Sequence, residues 1–294
     1  MHIGRRRFLT LLAGSVALSG CARAPQHTAA PALESSAHPP PAATTSVAID
    51  SQMTAGLAAV DRAAIVARHS GRSATQWGTH LPGIHTHVPA SGPGRRLALT
   101  FDGCGGGNGS GVDDALLALL EREQIPATLF LNRRWIDANV DLTRRLSAHP
   151  LYEIGNHGTR HLPLSVHGRP AYGIKGTATV ADVVDEVLDN HERIRVVTGH
   201  APRWFRAGTA HYDDIAAAIV ADVGEQIAGF AVNGDAGATF SAKQVRSALV
   251  SAEQGAIVLM HLNQPAGGTA EGLAAALPEL RAAGTHFMHL GRNL

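Results

Sequence analysis

From Arg96 to the C-terminus the chain repeats one pattern: a short apolar run, a loop, then a stretch with apolar positions at helical spacing. Parallel strands covered on both faces read as continuous apolar runs, so this alternation predicts βα units around a parallel sheet. The strand-like runs are residues 97–101, 127–131, 152–155, 204–206, 227–232, 256–260 and 286–290. The helical stretches between them are 112–122, 142–148, 181–197, 213–223, 243–251 and 273–283. Seven strands alternating with helices predict an α/β fold, a distorted seven-stranded (β/α) barrel rather than the eightfold closed form.

Upstream the pattern changes. Residues 57–67 carry apolar positions at helical spacing and predict a short helix on the domain exterior. Residues 77–93 are rich in Gly, Pro and His and predict an ordered surface loop leading into the core. His80, His85 and His87 fall there; His85 with His87 is a minor metal candidate, and all three are read as solvated loop histidines. The expected division is thus 51–94 as a helix and loop packed on a domain spanning 95–294.

The first 21 residues have the layout of an export signal. Arg5-Arg6-Arg7 precede Phe8-Leu9, an apolar stretch fills 11–18, and Leu18-Ser19-Gly20-Cys21 closes it. The stretch is too short to span a bilayer. Its start resembles a twin-arginine signal and its end resembles a lipobox, which implies acylation of Cys21 and a membrane reached through that lipid. Residues 22–50, mostly Ala, Pro, Thr, Ser and His, cannot offset chain entropy by burial and predict a disordered tether. The expectation is an exported lipoprotein anchored at the cell envelope, periplasmic or on the surface. With Cys21 lipidated, Cys104 has no partner within the chain and a disulfide framework is excluded.

Composition narrows the function classes. A chain of 294 residues with 45% hydrophobic content can bury one large core. A formal net charge of +1, with charged residues at 17%, gives no basic field for nucleic acid.

Polar residues suited to chemistry collect at the ends of the predicted strands. Asp102 follows the first, His157 the third, Arg206 closes the fourth, Asp235 follows the fifth and His261 the sixth. In barrels those ends form the face where active sites sit. His157 and His161, four apart, would share one face of a helical turn and suit two-point metal binding. Asp102 is a candidate base, metal ligand or loop cap. His261 ends a buried run and needs an orienting partner, for which Asp235 is the candidate. Trp135, Trp204 and Tyr212 are candidate sugar-stacking platforms, with core or rim packing as the alternative for each and the favoured one for Trp204.

These segments resemble, in order, the five motifs of the polysaccharide deacetylases, the NodB-homology group or carbohydrate esterase family four. The carrying residues are Thr100-Phe101-Asp102-Gly103, the run from Glu153 to His161, Phe205-Arg206-Ala207-Gly208-Thr209, Val232-Asn233-Gly234-Asp235, and Ile257-Val258-Leu259-Met260-His261. The resemblance implies a NodB-type barrel and hydrolysis of N-acetyl groups on an envelope or exported glycan. It implies Asp102 as base, Arg206 orienting it, His261 as acid paired with Asp235, and a divalent cation, usually Zn²⁺, on His157 and His161. Where the family has a second aspartate this chain has Gly103, so Asp102, Cys104 or water must complete the ligand set. Two alternatives accompany this: a glycan-binding member with impaired catalysis, and a hydrolase of another non-peptide C–N amide.

Overall fold

The structure, a computed structural model, describes residues 60–89, 94–107 and 109–291. The export signal with Cys21, the tether at 22–50 and the start of the predicted 57–67 helix lie outside the described residues. Among the described residues no helix is long and apolar enough to cross a membrane.

Three elements come first: α1 (Arg62–His69), β1 (Trp77–Gly78) and β2 (Ile84–His85). The repeating units follow as β3 (Arg95–Gly103), α2 (Asp114–Arg122), β4 (Ala127–Leu131), α3 (Arg133–Ala138), α4 (Val140–Ala148), β5 (Tyr152–Asn156) and α5 (Val180–Thr198). After these run β6 (Trp204–Phe205), β7 (Tyr212–Asp213), α6 (Asp214–Val223), β8 (Gln226–Ala228), β9 (Val232–Asn233), α7 (Ala242–Ser251), β10 (Ile257–His261), α8 (Thr269–Ala282) and β11 (Thr285–Met288).

The main sheet is parallel throughout, in the order β2-β8-β6-β5-β4-β3-β10-β9, with β11 joining β3 along its first half. Its centre is the buried pair β3 and β4, which explains why their sequences read as unbroken apolar runs. Helices cover the outer face: Leu116 and Leu120 of α2 and Leu273 and Leu277 of α8 share one core with Leu99, Phe101 and Leu129. Helix starts are set by side-chain caps, Asp113 accepting from Leu116 N on α2, Thr179 from Asp182 N on α5 and Asp213 from Ala216 N on α6.

Two expectations change. The predicted strand 227–232 is two strands on opposite flanks of the sheet, β8 beside β6 and β9 beside β10. The chain crosses between them at 229–231, where Gly229 N donates to His85 O at 2.8 Å. A β-carbon on Gly229 would lie 2.6 Å from Ile84 Cγ2, so the crossing needs glycine. The 77–93 segment is more than a surface loop: β2 pairs with β8, Thr86 O accepts from Ile257 N, and Val88 N donates to Gly255 O. This segment therefore spans the seam between β8 and β10, with Val88 buried. The distorted barrel stands, but its sheet has nine strands among the described residues instead of seven.

Candidate active site at the strand ends

Asp102 lies at the C-terminal end of β3 and is buried. Its Oδ1 accepts a 2.8 Å hydrogen bond from Arg206 Nη1. Arg206, fully buried, also donates to Thr100 Oγ1, Ala228 O and Gly229 O, and its guanidinium lies 4.3 Å over the Phe130 ring. Four hydrogen bonds to the barrel interior thus hold that cation, and it serves Asp102 from a fixed position. Burial alone would raise the Asp102 pKa, but Arg206, His157 and His261 hold it below the usual carboxylate value.

His157 follows β5. Its Nδ1 donates to Arg206 O at 2.8 Å, which leaves the Nε2 lone pair facing Asp102 Oδ2 at 3.6 Å and Cys104 Sγ at 3.8 Å. His161 reaches the same place through a loop, not the helical turn that a spacing of four suggests. Its backbone is left-handed, with φ of 66°, and the two imidazoles meet edge to face with centroids 4.8 Å apart. His161 Nε2 is buried without a hydrogen-bond partner. Ligand atoms of Cys104, His157 and His161 all lie within 4.8 Å of one another.

An orphaned imidazole nitrogen, a second with its lone pair free, and a thiol between them fit a soft or borderline divalent cation. Burial by itself would raise the Cys104 pKa, yet the imidazoles of His157, His161 and His261 around it bring the thiol well below its ordinary value. Asp102 stands beside this trio, its Oδ1 committed to Arg206.

His261 ends β10, paired directly with Asp102 in the sheet register. Asp235, fully buried, binds it twice: Oδ1 accepts from the ring Nδ1 at 2.8 Å and Oδ2 from the backbone N at 2.7 Å. Thr269 Oγ1 also donates to Oδ2. Burial would lower the His261 pKa, but the Asp235 bond and the Cys104 thiolate hold it well above the usual imidazole value.

Sequence reasoning missed two residues that hold the loop carrying both histidines. Asn132, after β4, donates to His157 O and Gly158 O and caps α3 by accepting from Arg134 N. Glu186 on α5 accepts from the backbone amides of Arg160 and Leu162 and from Arg160 Nε. A polar residue directly after a buried strand, and a carboxylate on the face that also carries Val183 and Val187, were the available signals.

Other expectations are corrected. Trp135, Trp204 and Tyr212 are all buried, so none offers a face to a sugar. Trp135 packs under the Gly103 strand end, donating Nε1 to Gly111 O, and Tyr212 OH accepts from Ala207 N. His87 bonds Glu253 and His85 packs edge-on against Trp204; the three-residue metal group found among the described residues is the Cys104 trio. After Cys104 the backbone passes close to α3: a β-carbon on Gly105, at φ of 67°, would lie 2.4 Å from Trp135 N.

Residues 90–228 match the family model described as polysaccharide deacetylase. An uncharacterized protein of Bacillus subtilis, YlxY, is 24% identical over 169 residues, which is 57% of this chain and 48% of that one. The chain thus spans about half the length of that curated relative. Among solved structures, BA3943 of Bacillus anthracis, a CE4 family pseudoenzyme, is 22% identical with a TM-score of 0.56 over 67% of this chain and 64% of that one. A BA3943 mutant with restored enzymatic activity superimposes equally well, with a TM-score of 0.56. PdaA of Bacillus subtilis, a family 4 carbohydrate esterase, is 19% identical with a TM-score of 0.58 over 78% of this chain and 86% of that one. The match over residues 90–228 and the shared fold agree in likening this stretch to the polysaccharide deacetylases.

Proposed function

We propose that this protein removes N-acetyl groups from a cell-envelope or exported glycan, using a divalent cation held by His157, His161 and Cys104. The observation that supports this most is the convergence, at one end of the barrel, of an Arg-held carboxylate, an Asp-held imidazole and the Cys104 trio. Imidazole and thiolate donors favour zinc among the available divalent ions. When bound, such a cation supplies Lewis-acid polarisation of the acetyl carbonyl.

The chain's own residues divide the proton work. Arg206 keeps Asp102 ionised and fixes its Oδ1, so the other oxygen accepts the proton of the attacking water. Asp235 keeps His261 protonated on Nδ1, and Nε2–H is delivered to the departing sugar nitrogen. The amide C–N bond breaks, acetate leaves, and the free amine stays on the glycan. Export and lipidation at Cys21 would tether the domain beside such substrates.

The test is acetate release from a panel of N-acetylated oligosaccharides and peptidoglycan fragments. The expected result is release that is abolished by chelation and reduced about 10²- to 10⁴-fold in Asp102→Asn. No release with added Zn²⁺, Co²⁺ or Mn²⁺ would overturn it. A second reading, glycan binding without turnover, draws on Gly103 and on the likeness to a pseudoenzyme. It would be recognised by saccharide recovered chemically unchanged from a metal-loaded complex. Release from a non-carbohydrate amide alone would instead move the substrate class.

A further inference from the structure

Between β5 and α5 the chain makes a tight hairpin at residues 171–174. Ala171 N donates to Ile174 O at 3.1 Å and Ile174 N to Ala171 O at 2.9 Å. The two residues between them, Tyr172 and Gly173, have φ of 51° and 76°, the left-handed pair of a type I′ turn. Glycine takes its position without strain. Tyrosine does not, because its β-carbon crowds the following carbonyl; Asn, Asp or Gly is the ordinary choice there.

The ring is not compensated by burial, since Tyr172 is 79% exposed. Three large hydrophobic side chains are exposed among the described residues, and two of them, Tyr172 and Ile174, belong to this one turn. Folding therefore does not account for an aromatic residue here, and strained, exposed positions of this kind are where function is sought.

What surrounds the ring is ordered and aromatic. Tyr172 stands perpendicular to His211 at a centroid distance of 5.2 Å, and His211 packs against Trp77 at 5.7 Å. The Arg169 guanidinium lies 5.3 Å over Trp77, and the pairing of β1 with β7 fixes that tryptophan. The patch sits at the same end of the barrel as the strand-end site. α6 starts from Asp213, two residues past His211, and Gly208, three residues before it, abuts His161 closely enough that a β-carbon would lie 2.5 Å from the ring.

We infer that Tyr172, backed by His211 and Trp77, is a stacking platform for a pyranose ring of an extended glycan, beside the residue whose acetyl group is removed. The inference rests on the proposed glycan reading of the strand-end site. A pyranose presents a C–H face to an open aromatic face, and its hydroxyls find a donor in Arg169 and an acceptor in His211 Nε2, whose Nδ1–H is given to Thr209 O. The adjoining strand-end site, reached through Gly208 against His161, favours a sugar over a lipid surface, which is the other occupant an exposed Tyr and Ile would suit.

Trp135 and Trp204 are buried, with 0% and 1% exposure, so Trp77 is the tryptophan placed to report a ligand at the patch. The experiment titrates the EDTA-treated full chain with an N-acetylglucosamine pentasaccharide and follows tryptophan fluorescence. Saturable quenching is expected, weakened about 5- to 10-fold in Tyr172→Asn and retained in Tyr172→Phe. Asn suits the left-handed position, so an unchanged or raised Tm for Tyr172→Asn shows that weakening is not unfolding. Undiminished affinity in Tyr172→Asn overturns the platform. A blue shift on phosphatidylcholine–phosphatidylglycerol vesicles without any saccharide response also overturns it, in favour of a membrane contact. Because the protein is stripped of metal, the outcome separates from the hydrolase reading. Tyr172-dependent quenching without acetate release under any metal sinks only that reading, and release with quenching indifferent to Tyr172 sinks only the platform.

Discussion

Successive residues of a strand point to opposite faces, and this decides what position 103 can do. Asp102 faces Arg206 inside the barrel, whereas a β-carbon at 103 would meet Leu131 Cδ2 at 3.2 Å and Trp135 at 3.3 Å. A carboxylate grown from there enters an apolar corner under α3. Cys104, one residue past the bend, is the side chain that turns toward His157 and His161. Two outcomes follow from this geometry. Gly103→Asp should lower stability by about 1–3 kcal/mol through overpacking and an ill-placed charge, without raising metal content. Cys104→Ser should weaken metal binding at least about 10-fold and abolish the thiolate-to-metal absorption of the Co²⁺-loaded protein. Elemental analysis with chelator competition measures the first effect, and near-ultraviolet spectroscopy the second. If Gly103→Asp gains metal while Cys104→Ser keeps it, the ligand set is a different one.

At the scale of elements, the site depends on how α5 and the end of β4 grip the loop between His157 and His161. Glu186 has a side chain only 1% exposed and receives both the Arg160 and Leu162 amides, which flank the left-handed His161. Replacing it by Gln leaves one acceptor and brings in two donors with no partners. The loop should loosen, with metal affinity falling about 10- to 100-fold while far-UV circular dichroism is unchanged; equal affinity in a chelator titration would refute this. Such grips explain what the sequence made legible. Asp102, Arg206 and His261 close or follow buried runs, so their strand-end placement could be read from the pattern alone. Glu186 and Asn132 act through contacts distant in sequence, which no local pattern contains. The break at Gly229 was hidden because Phe230 and Ala231 continue the apolar run, and α3 because six residues starting with two arginines carry little periodicity.

For the molecule as a whole, two features link stability to regions away from the chemistry. Glu225 is fully buried, its Oε1 accepting from His191 Nδ1 and Asn156 Nδ2 while Oε2 has no partner. Burial raises its pKa above 4.5, the two bonds offsetting only part. A raised carboxyl pKa contributes stability below the unfolded value, and that contribution is lost as pH rises through the folded value. Glu225→Gln should therefore gain in Tm relative to wild type on going from pH 4 to pH 7; a pH-independent difference would show the carboxyl is not the cause. The second feature is the seam. β8 and β10 do not meet directly, and the segment 84–88 joins them with the pairing of β2, the Thr86–Ile257 and Val88–Gly255 hydrogen bonds, and the buried Val88 side chain. α1 adds Ile65 to the core behind α5 and α6. A fragment beginning at residue 95 keeps every residue proposed for catalysis but exposes the edges of β8 and β10, which are then free to pair with other chains. It should be aggregation-prone and melt well below a fragment beginning at residue 60, and equal melting of the two would show that the barrel closes without its N-terminal segment.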